Sequence, residues 1–227
     1  MSKRKYYEAY QKRYKKIHKK FGKSWAGDLP TYELKKWFEK YQIKKGSPTL
    51  ELGCGEGQNA IYLASLGYDI YASDVSSEAI KWAKEQAYKQ NDCNVNFFVL
   101  DVLNNNYNEK HSAIYSISVL HMLVVDEDRK KFLDFIYDHL TDDGIAIISI
   151  MGDGKIEQNK SVLKDAFKLA ERPFEDKTVK VATTSCRIVN WDKFENELEN
   201  SNLKIKEKFV SNKVSGFENS MVVVVSK

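Results

Sequence analysis

The chain has 227 residues, 30% of them charged and 12% aromatic, with a net charge of +4. That length suits one α/β domain with additions, and its core needs no disulfides. Cys54, Cys93 and Cys186 have neither the even number of a secreted framework nor the spacing of metal ligands. No apolar run approaches the roughly 18 residues of a membrane span and no hydrophobic signal core opens the chain, so a cytoplasmic protein without bound metal is expected.

The charge is unevenly placed: residues 1–45 hold 15 Lys and Arg against 4 acids. Tyr6, Tyr10, Tyr14 and Ile17, with Phe21 following, recur at helical spacing, which predicts an amphipathic helix over 6–20 with lysines on its wet face. A basic arm with interleaved tyrosines also admits a nucleic-acid partner, as a less favoured reading. The connector to a second helix at 32–41 contains two glycines, Pro30 and Trp25. It reads as a loop able to fold over a site.

Residues 50–57 read Leu-Glu-Leu-Gly-Cys-Gly-Glu-Gly, a short apolar strand entering a turn with glycine at 53, 55 and 57. Such a turn lets a ligand lie against main chain. It is not the dinucleotide fingerprint: Gln58 stands where the third glycine belongs, and Glu51 and Glu56 place negative charge where a diphosphate would lie. A positively charged ligand fits better. A helix over 59–67 and a strand over 69–74 follow, and Asp74 comes 21 residues after Gly53, where a βαβ unit returns a carboxylate able to accept from a ribose diol. Ser76 and Ser77 cap a helix to about residue 90, and the strand at 96–100 ends in Asp101-Val102. A fourth strand is expected at 113–119, a helix at 128–140, a turn at 141–144 and a fifth strand at 145–151. Beyond Gly152-Asp153-Gly154 the pattern predicts a helix at 161–171, a strand at 178–187, a helix at 191–199, and an antiparallel pair at 203–210 and 220–226.

Three strand ends in order, Glu51, Asp74 and Asp101, together with the glycine turn, resemble a class I S-adenosylmethionine-dependent methyltransferase over residues 50–151. The stretch Gly-Glu-Gly-Gln-Asn-Ala-Ile-Tyr-Leu-Ala at 55–64 and Ser-Val-Leu-His at 118–121 are most similar to the small-molecule branch, which includes tellurite-resistance and thiopurine-type enzymes. The resemblance implies a Rossmann-like, doubly wound α/β fold with a seven-stranded, mostly parallel sheet and an antiparallel final strand. It also implies a helical lid at 1–46, a cofactor core at 47–151, a substrate-side insertion at 152–190, and a closing helix and strand pair at 191–227, all one structural domain. S-adenosyl-L-methionine is the implied cofactor, held by Glu51, Gly53, Gly55, Gly57, Asp74 with Val75, Asp101 with Val102, and Ser118. The chain departs from the family at His111-Ser112, where an aromatic-aspartate pair commonly opens strand four.

Methyl transfer is a direct displacement, so alignment matters more than acid or base. His121, after strand four at the carboxyl edge of the sheet, is the leading candidate for a base; its structural alternative is an imidazole bonded to backbone. Asp153, after strand five, either attracts a cationic substrate or is a plain turn acid. Arg187 could hold a substrate carboxylate or phosphate and lid residue Trp25 could cover an aromatic or cationic substrate, although both also have structural readings. The favoured function is methylation of a small-molecule acceptor by a monomer or homodimer. The alternatives are an RNA or protein methyltransferase guided by the basic arm and a noncatalytic adenosylmethionine-binding module.

Overall fold

The computed structural model describes residues 5–90, 93–160 and 166–227. Its centre is a seven-stranded sheet ordered β10-β11-β5-β4-β1-β2-β3, with β1 at Thr49–Leu52, β2 at Ile70–Asp74, β3 at Val95–Val99, β4 at His111–Ile117, β5 at Leu140–Met151, β10 at Lys204–Ser211 and β11 at Ser220–Ser226. Pairing from β3 across to β5 is parallel, and β11 alone runs against its neighbours. This is the doubly wound arrangement expected from the sequence. The chain leaves β1 toward β2 and β3 on one side, then returns to β4 on the other, so a crevice opens at the carboxyl ends of β1 and β4.

Strand alternation divides the core between the two faces. Leu50, Leu52, Ile148, Val223 and Val225 pack on one face beneath α5 (Asp126–His139) and α6 (Trp191–Glu199). Ile70, Ala72, Ile147, Val222 and Val224 pack on the other, with α2 (Glu33–Lys40), α3 (Gln58–Ser65) and α4 (Ser77–Lys89). The valines of β11 thus serve both faces, which explains a continuous apolar run where a half-exposed strand would alternate. Full burial of each such side chain stabilises the fold by about 1.5–3 kcal/mol. The buried Ser76 hydroxyl accepts from the Ala79 amide to cap α4, and Asn190 caps α6 in the same way from Lys193.

Several elements differ from the sequence expectation. The first helix begins as a 3-10 turn at Tyr6–Glu8 before α1 at Ala9–Phe21. Strand β4 starts at His111 and stops before Ser118, whose φ of +63° breaks the extended run. The turn at 141–144 lies within β5: its pairing jumps from His111–Leu140 to Ala113–Ile145, a bulge that absorbs Thr141-Asp142-Asp143-Gly144 without ending the strand. The helix expected at 161–171 is replaced in its last part by β7 (Leu169–Phe174), which forms a hairpin with β8 (Lys177–Ala182); residues 161–165 lie outside the described residues. A two-residue loop with Glu175 at φ +53° joins them, and Phe174, Val179 and Val181 bury against Ile17 of α1. The single strand expected at 178–187 is therefore two, β8 and β9 (Cys186–Ile188), and β9 pairs instead with β6 (Gln158–Lys160).

Among the described residues no helix is long and apolar enough to cross a membrane, and no group of three or more His, Cys, Asp or Glu side chains is gathered for a metal. The three cysteines are free thiols.

Candidate active site

The glycine turn after β1 is built for close approach. Gly53 has φ +73°, and a Cβ there would lie 2.4 Å from Cγ2 of Val119, the residue that leaves β4 across the crevice. Gly57 enters α3 at φ +88°, where a Cβ would meet that of Ala83 at 2.8 Å. Only a residue without a side chain lets the β1 turn touch the β4 exit and lets α3 pack on α4. Gly57 accordingly supports the turn from behind and does not line the cleft.

Asp74, at the end of β2, locks this turn. Its Oδ2 accepts from the Gly55 amide at 2.9 Å and its Oδ1 from the Ser76 amide at 2.8 Å. Burial raises its pKa to about 6 against those stabilising bonds. Asp101, at the end of β3, accepts from the Leu103 amide at 3.1 Å, from the Tyr7 hydroxyl at 3.2 Å, and from the ammonium of Lys5. Glu51 lies fully buried beside Tyr115, whose hydroxyl donates to it at 3.0 Å; desolvation outweighs that bond and raises its pKa to about 8. Near neutral pH Glu51 is therefore largely protonated, and a cationic group brought beside it restores the carboxylate.

The Glu51 shift makes stability depend on pH. Between its usual 4.5 and about 8 the native state keeps a proton that the unfolded chain has released, so stability falls as pH rises through that interval, and Asp74 acts in the same direction up to about 6. Glu51→Gln is expected to flatten the upper part of this decline and to raise the melting temperature above pH 8 relative to the parent, while weakening adenosylmethionine binding. Thermal melts from pH 5 to 9 check the sign.

Two connected hollows run along the carboxyl edge. The first is lined by Asp74, Val75, Leu100, Asp101, Val102, Leu103, Val119, Met122 and Phe132, with Tyr7 over it. The second is lined by Glu51, Cys54, Gly55, Glu56, Ile117, His121, Trp25, Leu29 and Phe217. Tyr10, Tyr14, Gly53 and Ser118 line both, so they form one continuous cleft. Ser118 marks the junction: its φ is left-handed, and its buried hydroxyl has no protein partner. Strain and an unsatisfied hydroxyl concentrated at one residue of a cleft are features of ligand sites.

The donor set fits adenosylmethionine. An apolar hollow adjoins Asp101 and Val102 for an adenine, Asp74 keeps free lone pairs for a diol, and the side-chain-free turn at Gly53 and Gly55 meets Glu51 for an amino-acid tail and its positive charge.

The roof comes from the N-terminal segment. Glu56 is buried within the glycine turn and accepts from the Ser24 hydroxyl (2.7 Å), the Trp25 amide (2.7 Å) and the Ala26 amide (2.9 Å), and it pairs with His18 Nε2 at 2.6 Å. One carboxylate thus folds the 24–26 loop down and holds it to α1. Gln11 binds the start of α4 through Ser76 and Glu78, and Arg13 donates to the Ala182 carbonyl of β8 at 2.6 Å. Glu56→Ala strands these donors and is expected to cost about 3 kcal/mol and to deprotect the amides of 24–26 in hydrogen exchange, while those of β1 and β4 stay protected.

Not every residue singled out from the sequence reaches the cleft. His121 lines it, but its Nδ1 accepts from the Met151 amide at 3.3 Å, and burial lowers its pKa to about 3. It is a neutral hydrogen-bonding group there, and a weak base. Trp25 lines the cleft rim, stacked on Phe174 with centroids 5.8 Å apart. Asp153 lies on the surface, its Oδ1 accepting from the Lys155 and Ile156 amides at 2.9 and 3.1 Å, so it is the turn acid of the two readings and not a cleft residue. Arg187 also lies elsewhere: it is buried against the Val124 carbonyl, Asp126 and Glu197 in a separate hollow beside α5 and α6, which consumes the fork a substrate anion would need. His111, in place of the family's pair, bonds the Tyr107 hydroxyl at 2.6 Å and serves the core. Conversely, Tyr7, the Glu56 clasp and Phe217 escaped sequence reasoning. Tyr7 lies off the predicted apolar stripe because the first turn is 3-10, and Phe217 sits in a loop without a motif.

Residues 49–144 match the family described as methyltransferase domain. The chain is 32% identical over 103 residues to 2-heptyl-1-hydroxyquinolin-4(1H)-one methyltransferase of Mycobacteroides abscessus, a match covering 45% of this chain and 44% of that one. It therefore spans less than half the length of the curated relatives it matches. Among solved structures, the CcbJ methyltransferase of Streptomyces caelestis superposes with a TM-score of 0.73 at 14% identity over 96% of this chain and 97% of that one. A TehB-like S-adenosylmethionine-dependent methyltransferase of Corynebacterium glutamicum superposes with a TM-score of 0.60 at 18% identity over 97% of each. The fold is that of these enzymes. Residues 49–144 thus resemble a methyltransferase domain in sequence, and the fold is that of class I S-adenosylmethionine-dependent methyltransferases, a TehB-like one among them.

Proposed function

We propose that the protein transfers a methyl group from S-adenosylmethionine to a small-molecule acceptor. The observation that carries this reading is the continuity of the cleft: the hollow beside Asp74 and Asp101 opens at Gly53 and Ser118 into a chamber roofed by Tyr10, Tyr14 and Trp25. Adenosylmethionine supplies a methyl carbon on a positively charged sulfur, open to direct displacement. Asp101 and Val102 hold the adenine end, Asp74 and Val75 the ribose, and Gly53, Gly55 and Glu51 the methionine end. Ser118 and His121 face the chamber beyond, where they orient the acceptor and exclude water. Residues 5–31 act as a lid over this chamber, while α2 packs on the sheet face and anchors it. Lysines of α1 point outward while its tyrosines enter the cleft, which suits a small acceptor better than a nucleic acid bound along the helix.

The test is release of adenosylhomocysteine by the purified protein across a panel of small thiols, amines, phenols, heteroaromatics and chalcogen anions, with RNA and protein acceptors alongside. Turnover with a small acceptor is expected. Turnover only with RNA, lost on deleting residues 1–20, overturns the reading; tight cofactor binding without turnover on any acceptor favours a binding module.

A further inference from the structure

The charge and lining of the chamber define the acceptor's chemical class, an inference that rests on the function proposed above. Among the described residues lining the two hollows the acidic side chains are Glu51, Glu56, Asp74 and Asp101, and no Lys or Arg lines either; Glu56 is paired with His18 and Asp101 with Lys5 from outside the lining, and Glu51 ionises when a cation comes beside it. Two buried arginines lie near the chamber without lining it: Arg129, which acts on His121 from outside, is held by Glu197 and the Leu120 carbonyl, and Arg13 is held on the other side. Its guanidinium is held by the Ala182 carbonyl and by Thr184, and it lies 4.7 Å from the ring centroid of Trp25 and 4.9 Å from that of Tyr10. Besides Tyr10 and Trp25, whose rings carry Arg13, the aromatic side chains lining the chamber are Tyr14 and Phe217, the latter edge-on to the neutral His121 with centroids 5.4 Å apart.

An anionic acceptor entering this chamber meets carboxylates and the negative faces of aromatic rings, with no fork to pair its charge. A protonated acceptor that must lose its proton before reacting finds each candidate base engaged: Nδ1 of His121 accepts from the Met151 amide, which leaves the proton on Nε2, and the acids already accept from Tyr115, the 24–26 loop, Gly55 and Ser76, or Tyr7 and Lys5. A neutral lone-pair donor needs neither. Its lone pair forms the new bond to the methyl carbon as the carbon–sulfur bond breaks, and the bonding pair returns to sulfur. The positive charge moves from sulfur to the acceptor, and no proton is transferred. Throughout that shift the charge stays between carboxylates and ring faces, an environment that stabilises it in the transition state and in the product.

We propose that the chamber selects neutral nucleophiles whose methylated products are cations, a ring nitrogen, tertiary amine or thioether, and discriminates against oxyanions and carboxylates. The first measurement is adenosylhomocysteine binding by calorimetry; its failure sinks the methyltransferase reading itself, separately from this inference. With adenosylhomocysteine bound, N-methylpyridinium, the product of the simplest ring-nitrogen acceptor, is titrated against benzoate, a flat ring of opposite charge. The pyridinium is expected to bind at least tenfold more tightly. Phe217→Leu is expected to weaken it roughly fivefold to thirtyfold and to leave adenosylhomocysteine binding within about twofold. Leu29→Lys, at an exposed position on the chamber rim, is expected to narrow the preference by adding a cation. Turnover of pyridines, dimethylalkylamines and dialkyl thioethers then distinguishes the three sources of the lone pair. Benzoate binding as tight as the pyridinium, no detectable pyridinium binding, or indifference to Phe217→Leu overturns the proposal.

Discussion

Gly53→Val is expected to abolish adenosylmethionine binding, with affinity down by more than 100-fold, and to destabilise the protein by about 2–4 kcal/mol. Two costs combine. A β-branched residue at φ +73° is strained by roughly 1–2 kcal/mol, and its Cβ would fall 2.4 Å from Val119 Cγ2, which forces the turn and the β4 exit apart. That separation also moves Ser118, next to Val119, and so disturbs the junction of the two hollows. Calorimetric titration of adenosylhomocysteine and urea unfolding measure the two effects separately. Gly55→Ala is the milder comparison, since its Cβ would meet only the Tyr14 hydroxyl, at 3.2 Å.

Asp74→Ala carries the second large effect. The carboxylate accepts from Gly55 and Ser76 at once, so its loss releases the glycine turn from β2 as well as removing the partner of the ribose diol. Hydrogen bonds to a charged group are worth about 1.5–3 kcal/mol each, and losing the diol's two gives an expected fall in cofactor affinity of at least 100-fold. Asp74→Asn keeps an acceptor for only one of the two backbone amides, its NH2 facing the other, and is expected to fall between the parent and Asp74→Ala. Fold stability falls less than affinity does, because the buried carboxylate itself is held at a desolvation cost.

The strand-end and glycine-turn side of the cleft was legible in the sequence because strand ends and turn chemistry are local. Glu51, Asp74 and Asp101 each close an apolar run, and the doubly wound topology carries three such ends to one edge. The chamber side was not, because its residues come from four separate places: α1, the 24–31 loop, the residues after β4, and the loop before β11. Trp25 was legible as a lid residue, whereas Glu56 was read by its charge alone; the structure uses that charge to fold the lid, through bonds to residues some thirty positions earlier in the chain. Arg187 shows the opposite error. An arginine on an inserted strand has the chemistry to hold an anion, but β9 pairs with β6 and turns it toward Asp126 and Glu197. The β7–β8 hairpin escaped for a further reason. Its apolar pattern is short, and what makes it a hairpin is burial against Ile17, more than 150 residues away in the chain.

The most direct test of the cofactor site is a crystal structure of the protein with adenosylhomocysteine. The ribose hydroxyls are expected on the Asp74 carboxylate, the adenine between Asp101-Val102 and the Tyr7 side of the cleft, and the amino-acid tail along Gly53 and Gly55 toward Glu51. A ligand bound elsewhere, or one whose ribose makes no contact with Asp74, would contradict the account.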